Sequence, residues 1–133
     1  MLNNAYCLLN HDLTQKQTTE LKEKFKVENI IYPSEELSKM WSQVPAAEEF
    51  DMNIIKSVVS WLSAAQSGDV LIVQGEFGST FMIVEYALKR NLIPVHAVTK
   101  RVACEQRNGE IVSRQYVFEH VCFRKYKVFP YEA

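Results

Sequence analysis

Glycine and proline are scarce in this chain, four of each in 133 residues. That scarcity excludes a collagen-like repeat and a low-complexity linker. With nearly half of the residues apolar it also excludes disorder. Cysteine is scarce as well. Cys7, Cys104 and Cys122 stand alone, with no CxxC or Cys/His metal spacing, and an odd number leaves no closed disulfide framework. They read as reduced thiols of a cytoplasmic protein. Charge is nearly balanced at a net of −1, so no overall field draws in DNA or any other polyanion. Phosphate would need a local cluster of cations. No apolar run approaches the roughly 20 residues that cross a bilayer. The opening "MLNNAYCLLNHDLT" lacks the basic start and the small-residue cleavage site of a signal peptide. No membrane partner is expected. The length suits one domain, residues 1–133, large enough to bury a normal core.

What is present is an alternation of strands and helices. "AYCLLN", residues 5–10, reads as a buried first strand. Thr14 with Gln17 makes a capping box that opens a helix to about Lys26. "VENIIYP" supplies a second strand ending at Pro33. Ser34, followed by Glu35 and Glu36, starts a helix that runs to Pro45, and another begins at Asp51 and stops near "QSGD". "DVLIVQG" is a continuous apolar strand of the kind covered on both faces. "STFMIVEYALKR" follows as a helix and "LIPVHAVT" as a fourth buried strand. This order predicts an α/β, Rossmann-like, mostly parallel sheet flanked by helices. In the tail, Asn108-Gly109 lies between two strand-like runs and predicts an antiparallel β-hairpin extension. Strict alternation there puts Val112, Arg114, Tyr116, Phe118 and His120 on one face.

Open α/β sheets bind ligands beyond the carboxyl ends of their strands, near the switch point in strand order. That rule gathers three predicted loops: Asn10-His11-Asp12, the turn from Gln74 to Thr80, and Thr99-Lys100-Arg101. In the second, Gly75 and Gly78 let backbone approach a ligand, and Ser79 and Thr80 open a helix whose free N–H groups favour phosphate. The turn is neither a Walker A sequence nor GxGxxG, and a glycine turn that merely joins strand to helix accounts for it equally. Lys100 and Arg101 read either as phosphate ligands or as solvated charges, and Arg124 either as a further cation or as an edge charge. His96 reads as a core residue. His11 and His120 can move a proton near neutral pH, though a polar loop and a sheet surface explain them as well. The histidines show no metal spacing, and no metal or other cofactor is expected. Tyr116, Phe118, Phe123 and Tyr126 alternate with cations, as in a base-stacking platform, a dimer interface or ordinary sheet packing.

Taken together, "LLN" with a polar loop and "LT", then "GDVLIVQGEFGSTF", "VTKR" and "FEHVCFRKY", resemble a Csx-type family of small CRISPR-associated proteins, the one numbered twenty. The resemblance spans nearly the whole chain. It implies a stand-alone relative of the CARF (CRISPR-associated Rossmann fold) sensor domains, a homodimer whose ligand is cyclic tetra-adenylate. It implies a ring nuclease that opens this RNA messenger without a metal and switches off type III CRISPR signalling. The alternative is a protein that binds the ring without cutting it. On this reading Lys100 and Arg101 hold the scissile phosphate, and Thr99 and Ser79 donate hydroxyls. Asn10 and Gln74 read adenine edges or riboses, and His11 or His120 serves as acid or base. Gly75, Phe77, Gly78, Thr80 and Arg124 complete the binding surface.

Glu76, in the middle of "QGEFGST", does not fit a phosphate cradle. A carboxylate only accepts hydrogen bonds, so it suits a ribose hydroxyl or an adenine amino group. With a raised pKa it becomes a base for the attacking hydroxyl. The plainer reading pairs it with Lys100, Arg101 or Arg124.

Overall fold

The computed structural model describes residues 3–130, so the outermost residues of the expected 1–133 domain, 1–2 and 131–133, lie outside the described residues. The elements follow in the order β1 (Asn3–Leu8), α1 (Gln15–Glu23), β2 (Val27–Ile31), α2 (Glu35–Ser42), α3 (Met52–Leu62), β3 (Val70–Val73), α4 (Phe77–Lys89), β4 (Ile93–Asn108) and β5 (Ile111–Lys125). They form one five-stranded sheet in the order β2-β1-β3-β4-β5. The first four strands are parallel to one another and β5 is antiparallel to β4. This is the α/β, mostly parallel sheet with a C-terminal antiparallel extension that the sequence predicts.

Local chemistry sets the boundaries. Thr14 and Gln17 form the full capping box of α1. Ser34 and Asp51 cap α2 and α3 through Leu37 N–H and Asn53 N–H. The first helix stops short of the expected Lys26 because that residue turns left-handed, with φ 58°. Period-two alternation then sorts the strands between two cores. Tyr6, Leu8, Leu71 and Val73 pack under α2, α3 and α4 with Trp41, Val58, Leu62 and Ile83. Ala5, Cys7, Val70, Ile72 and Val95 pack on the opposite face with Leu21 of α1 and Phe123. Every residue of β3 is buried, as a strand covered on both faces requires.

The fourth strand differs most from expectation. Instead of ending at Thr99 in a loop, β4 runs on to Asn108. Its pairing with β3 ends at Val95, opposite Ile72, while pairing with β5 continues to Asn108 opposite Ile111. Beyond the sheet the two strands form a ribbon whose residues are mostly exposed. The two-residue turn is Gly109-Glu110, one position later than Asn108-Gly109, and Gly109 supplies the positive φ of 66°. A register shift places Val98 opposite Cys122 but Thr99 opposite His120, so Val121 is an extra residue. This bulge breaks the strict alternation, and His120 and Phe123 come to the same face with ring centroids 4.8 Å apart.

Candidate functional site

The carboxyl ends of the parallel strands meet along one edge, and the strand order reverses between β1 and β3. The backbone there is joined by Gln74 N–H, which donates to Leu8 O at 3.2 Å. Gln74 is largely committed to the scaffold. Its carboxamide Oε1 accepts from Ala97 N at 2.8 Å, and its carbonyl accepts from Trp41 Nε1 at 2.9 Å. Gly75 is small for a steric reason, since a Cβ there would lie 2.6 Å from the buried Trp41 indole nitrogen. The close backbone approach expected for a ligand is made by the protein's own tryptophan.

Glu76 proves to be the N-cap of α4, which starts at Phe77 and not at Ser79 as expected. Its carboxylate accepts from Gly78 N at 2.7 Å, Ser79 N at 2.9 Å and the Ser79 hydroxyl at 2.8 Å. The donors expected for phosphate are therefore held by the chain's own anion, and the buried Ser79 hydroxyl is turned inward with them. The Gly78 N–H, then the Ser79 N–H and hydroxyl, hold the Glu76 carboxyl below its ordinary value of 4.5. This is opposite to the raised pKa a general base needs at neutral pH. Because the folded-state pKa is depressed, the cap contributes its full stability above the ordinary carboxylate value. The contribution is lost as pH falls through the lowered one. Glu76→Gln is expected to lower Tm at pH 7 and to flatten the loss of Tm below about pH 4.5, measured by thermal melts across an acid series. An unchanged acid limb would remove Glu76 as the cap.

The Phe50 ring lies against Gly78, at 2.5 Å from where a Cβ would stand. Phe77 projects from the first turn of α4 with 92% exposure. Thr80 Oγ1 is the one buried side-chain oxygen or nitrogen without a partner among the described residues.

Cations collect farther along, on β4 and β5. Lys100 and Arg101 are consecutive in a strand, so they point to opposite faces and cannot both hold one phosphate as expected. Arg101 lies over the Tyr116 ring at 4.0 Å, on the α1 side of the ribbon with Thr99. Lys100 shares the α4 side with His96, and Arg124, opposite His96 in the ladder, points the same way. Arg124 Nε donates to His96 Nε2 at 3.3 Å. Burial, then the Arg124 charge, lowers the His96 pKa, so this imidazole is a neutral acceptor at pH 7. Sequence reasoning assigned His96 to the core; it is half-buried, its ring tilted 49° against that of Tyr126 with centroids 4.8 Å apart.

His120 is withdrawn from the site. It is buried under α1, with Nε2 2.6 Å from Glu20 Oε1 and Nδ1 3.3 Å from Gln17 Nε2. Glu20 also accepts from Phe123 N at 2.8 Å. The expected acid or base is instead a fastening between α1 and the root of the ribbon.

Asn10 and His11 line a cleft of about 600 Å³ at the ends of β1 and β2, together with Asp12, Tyr32, Glu35 and Lys39. Nothing in the spacing of Tyr32 or Lys39 pointed to it, because the cleft forms only when α2 folds over the end of β2. Burial, then the Asp12 charge, pushes the Cys7 thiol up to about 12. Burial raises the Tyr32 phenol as well, with Cys7 and Asp12 adding to it. Among the described residues no three His, Cys, Asp or Glu side chains gather as metal ligands would. Nor is any helix among them long and apolar enough to cross a membrane.

A family model described as the uncharacterized protein MJ1673 family matches residues 3–124. That range reaches from β1 to Arg124 and takes in both the cleft and the ribbon. Among curated proteins, the uncharacterized protein MJ1673 of Methanocaldococcus jannaschii is 34% identical over 128 residues, covering 95% of this chain and 97% of its own. No solved structure matches the chain.

Proposed function

From membership of the uncharacterized protein MJ1673 family, to which this chain belongs, and from the edge just described, we propose that the protein is a ring nuclease for cyclic tetra-adenylate. The observation that carries this reading is one juxtaposition. The polar loop after β1 and the turn after β3 stand at the carboxyl edge of a doubly wound sheet, and just beyond it β4 and β5 carry Arg124 and, farther out, Lys100 on one face. The resemblance of "QGEFG" and "HVCFRKY" to the Csx-type family supplies the ligand class. A role in ending type III CRISPR signalling belongs to the same proposal.

The reaction needs no nucleophile from the protein. A ribose 2′-hydroxyl of the ring attacks its neighbouring phosphorus, the bond to the 5′-oxygen breaks, and the hydroxyl proton ends on that oxygen. The products are a 2′,3′-cyclic phosphate and a 5′-hydroxyl. The chain's part is to hold the attack in line and to offset the charge that grows on the phosphorane oxygens. Lys100 and Arg124 take the phosphate, on the α4 side of β4 and β5. Neutral His96 replaces His120 as the proton acceptor, its Nε2 being freed when Arg124 turns from it to the phosphate; His11 is the other candidate. The Glu76 carboxylate repels phosphate from the turn after β3.

The test is to incubate the protein with cyclic tri-, tetra- and hexa-adenylate, with and without EDTA, and identify products by mass. Linear oligoadenylates from the tetramer ring, formed equally in EDTA, are expected. Dependence on added Mn²⁺ overturns the metal-free step. A second reading, capture without cleavage, is favoured by one observation: Glu76 and His120, two of the groups expected to move protons, are both engaged in holding the fold. Binding with the ring intact selects it. The two-fold ligand also suits an isologous homodimer, expected in sedimentation as twice the chain mass; a monomer in the presence of ligand removes that part.

A further inference from the structure

We propose that the cleft at the ends of β1 and β2 is a binding site for a purine ribonucleoside phosphate, with adenine as the preferred base. This rests on the reading above only in the choice of adenine; the cleft itself is argued from its own residues.

Its size and position come first. About 600 Å³ is room for one nucleotide. The ends of the first two strands are also where doubly wound sheets receive the nucleoside half of a dinucleotide, with a carboxylate just past the second strand to accept the ribose hydroxyls. Glu35 stands at that point, at the start of α2. The glycines that would cradle a pyrophosphate after β1 are missing, and Asn10-His11-Asp12 stands in their place. This predicts a single phosphate on the ligand, not a pyrophosphate.

The chemistry of the walls narrows the ligand further. Asp12 lies close enough to Cys7 and Tyr32 for its charge to disfavour ionisation of both. It is an acceptor in a pocket whose adjoining thiol and phenol stay neutral, so it calls for a ligand hydroxyl and repels a phosphate. The Asp12 and Glu35 carboxylates on one cleft match the two hydroxyls of a ribose. Tyr32, 52% exposed, presents a ring on which a base can stack. Asn10 is exposed and its side chain has no hydrogen bond among the described residues, leaving a donor and an acceptor for the adenine amino group and N7. Lys39 is the lysine on this cleft and has no ion pair among the described residues, which suits the single phosphate. Stacking ring, amide, two carboxylates and one lysine together describe a ribonucleotide more closely than a free sugar, an acidic peptide or a polyphosphate.

The probe is AMP, compared with dAMP and followed by backbone amide shifts in the full-length protein. AMP is expected to move the resonances of Asn10–Asp12 and Tyr32–Lys39 while leaving the ribbon tip at Ile111 still. dAMP should bind about tenfold more weakly, as should AMP to Tyr32→Ala, and to Asp12→Asn as an isosteric control. Thermal melts establish that both variants are folded. Equal affinity for AMP and dAMP overturns the proposal, and so does AMP binding that perturbs other residues or none. Cyclic tetra-adenylate on the same proteins separates the two readings. If wild type ignores the ring while AMP fills the cleft, the ring-nuclease reading falls and the cleft stands. If wild type opens the ring while AMP moves no cleft resonance, the function stands and the cleft is overturned.

Discussion

Lys100→Ala is expected to slow ring opening by about 10²–10³-fold, the usual loss when a preorganised charge is removed from a transition state. Its neighbour should behave differently. Arg101→Ala is expected to stay within about fivefold of wild type, because what it loses is an exposed cation–aromatic contact with Tyr116. The asymmetry follows from the backbone alone. The two residues lie in an unbroken strand, paired with Glu119 and Phe118 respectively, and consecutive strand residues face opposite ways. Single-turnover rates at saturating ligand, with binding measured separately, decide the matter. Comparable losses in both variants would mean that the ligand touches the ribbon on both faces, and the single-face site would be wrong.

The second large effect is on the scaffold of the site. Trp41 is 1% exposed, and Trp41→Ala is expected to cost about 3–5 kcal/mol through lost burial and the cavity left behind. Trp41→Phe keeps most of the ring but leaves the Gln74 carbonyl without its donor, for about 1–3 kcal/mol. Gly75→Ala should be costly from the other side of the same contact, by about 1–3 kcal/mol, because its methyl would meet an indole with nowhere to move. Gly78→Ala should be mild, since the ring it meets belongs to half-exposed Phe50 and can swing away. Urea unfolding of the four variants checks the order. A Gly78→Ala as damaging as Gly75→Ala would contradict it.

These effects mark how far the sequence could be read. The caps at Thr14, Ser34 and Asp51 were legible because each uses a short side chain in its preferred role. The same rule misplaced the start of α4. Ser79 and Thr80 carry the usual signal, while the longer Glu76 reaches the Gly78 and Ser79 N–H groups from two and three residues earlier. "TKR" resembled a loop because its charges are hydrophilic, yet a two-stranded ribbon is solvated on both faces and tolerates charge at any position. Glycine chemistry suggested a phosphate turn at Gly75, where packing against a tryptophan 34 positions earlier explains the residue. His120 was misread for a related reason. Its partners depend on one bulge and on a helix 100 residues away, and neither leaves a local pattern.

That fastening has a consequence for how the chain is made. Gln17 and Glu20 meet His120 and Phe123 across sequence separations of 100 to 103 residues. A nascent chain that has completed every helix and all of β4 already has Leu21 in one core with Ala5, Cys7 and Val27, but it still lacks the partners of Gln17 and Glu20. The polar lock on the first helix therefore closes only once β5 has been made, and contacts so distant in sequence form slowly.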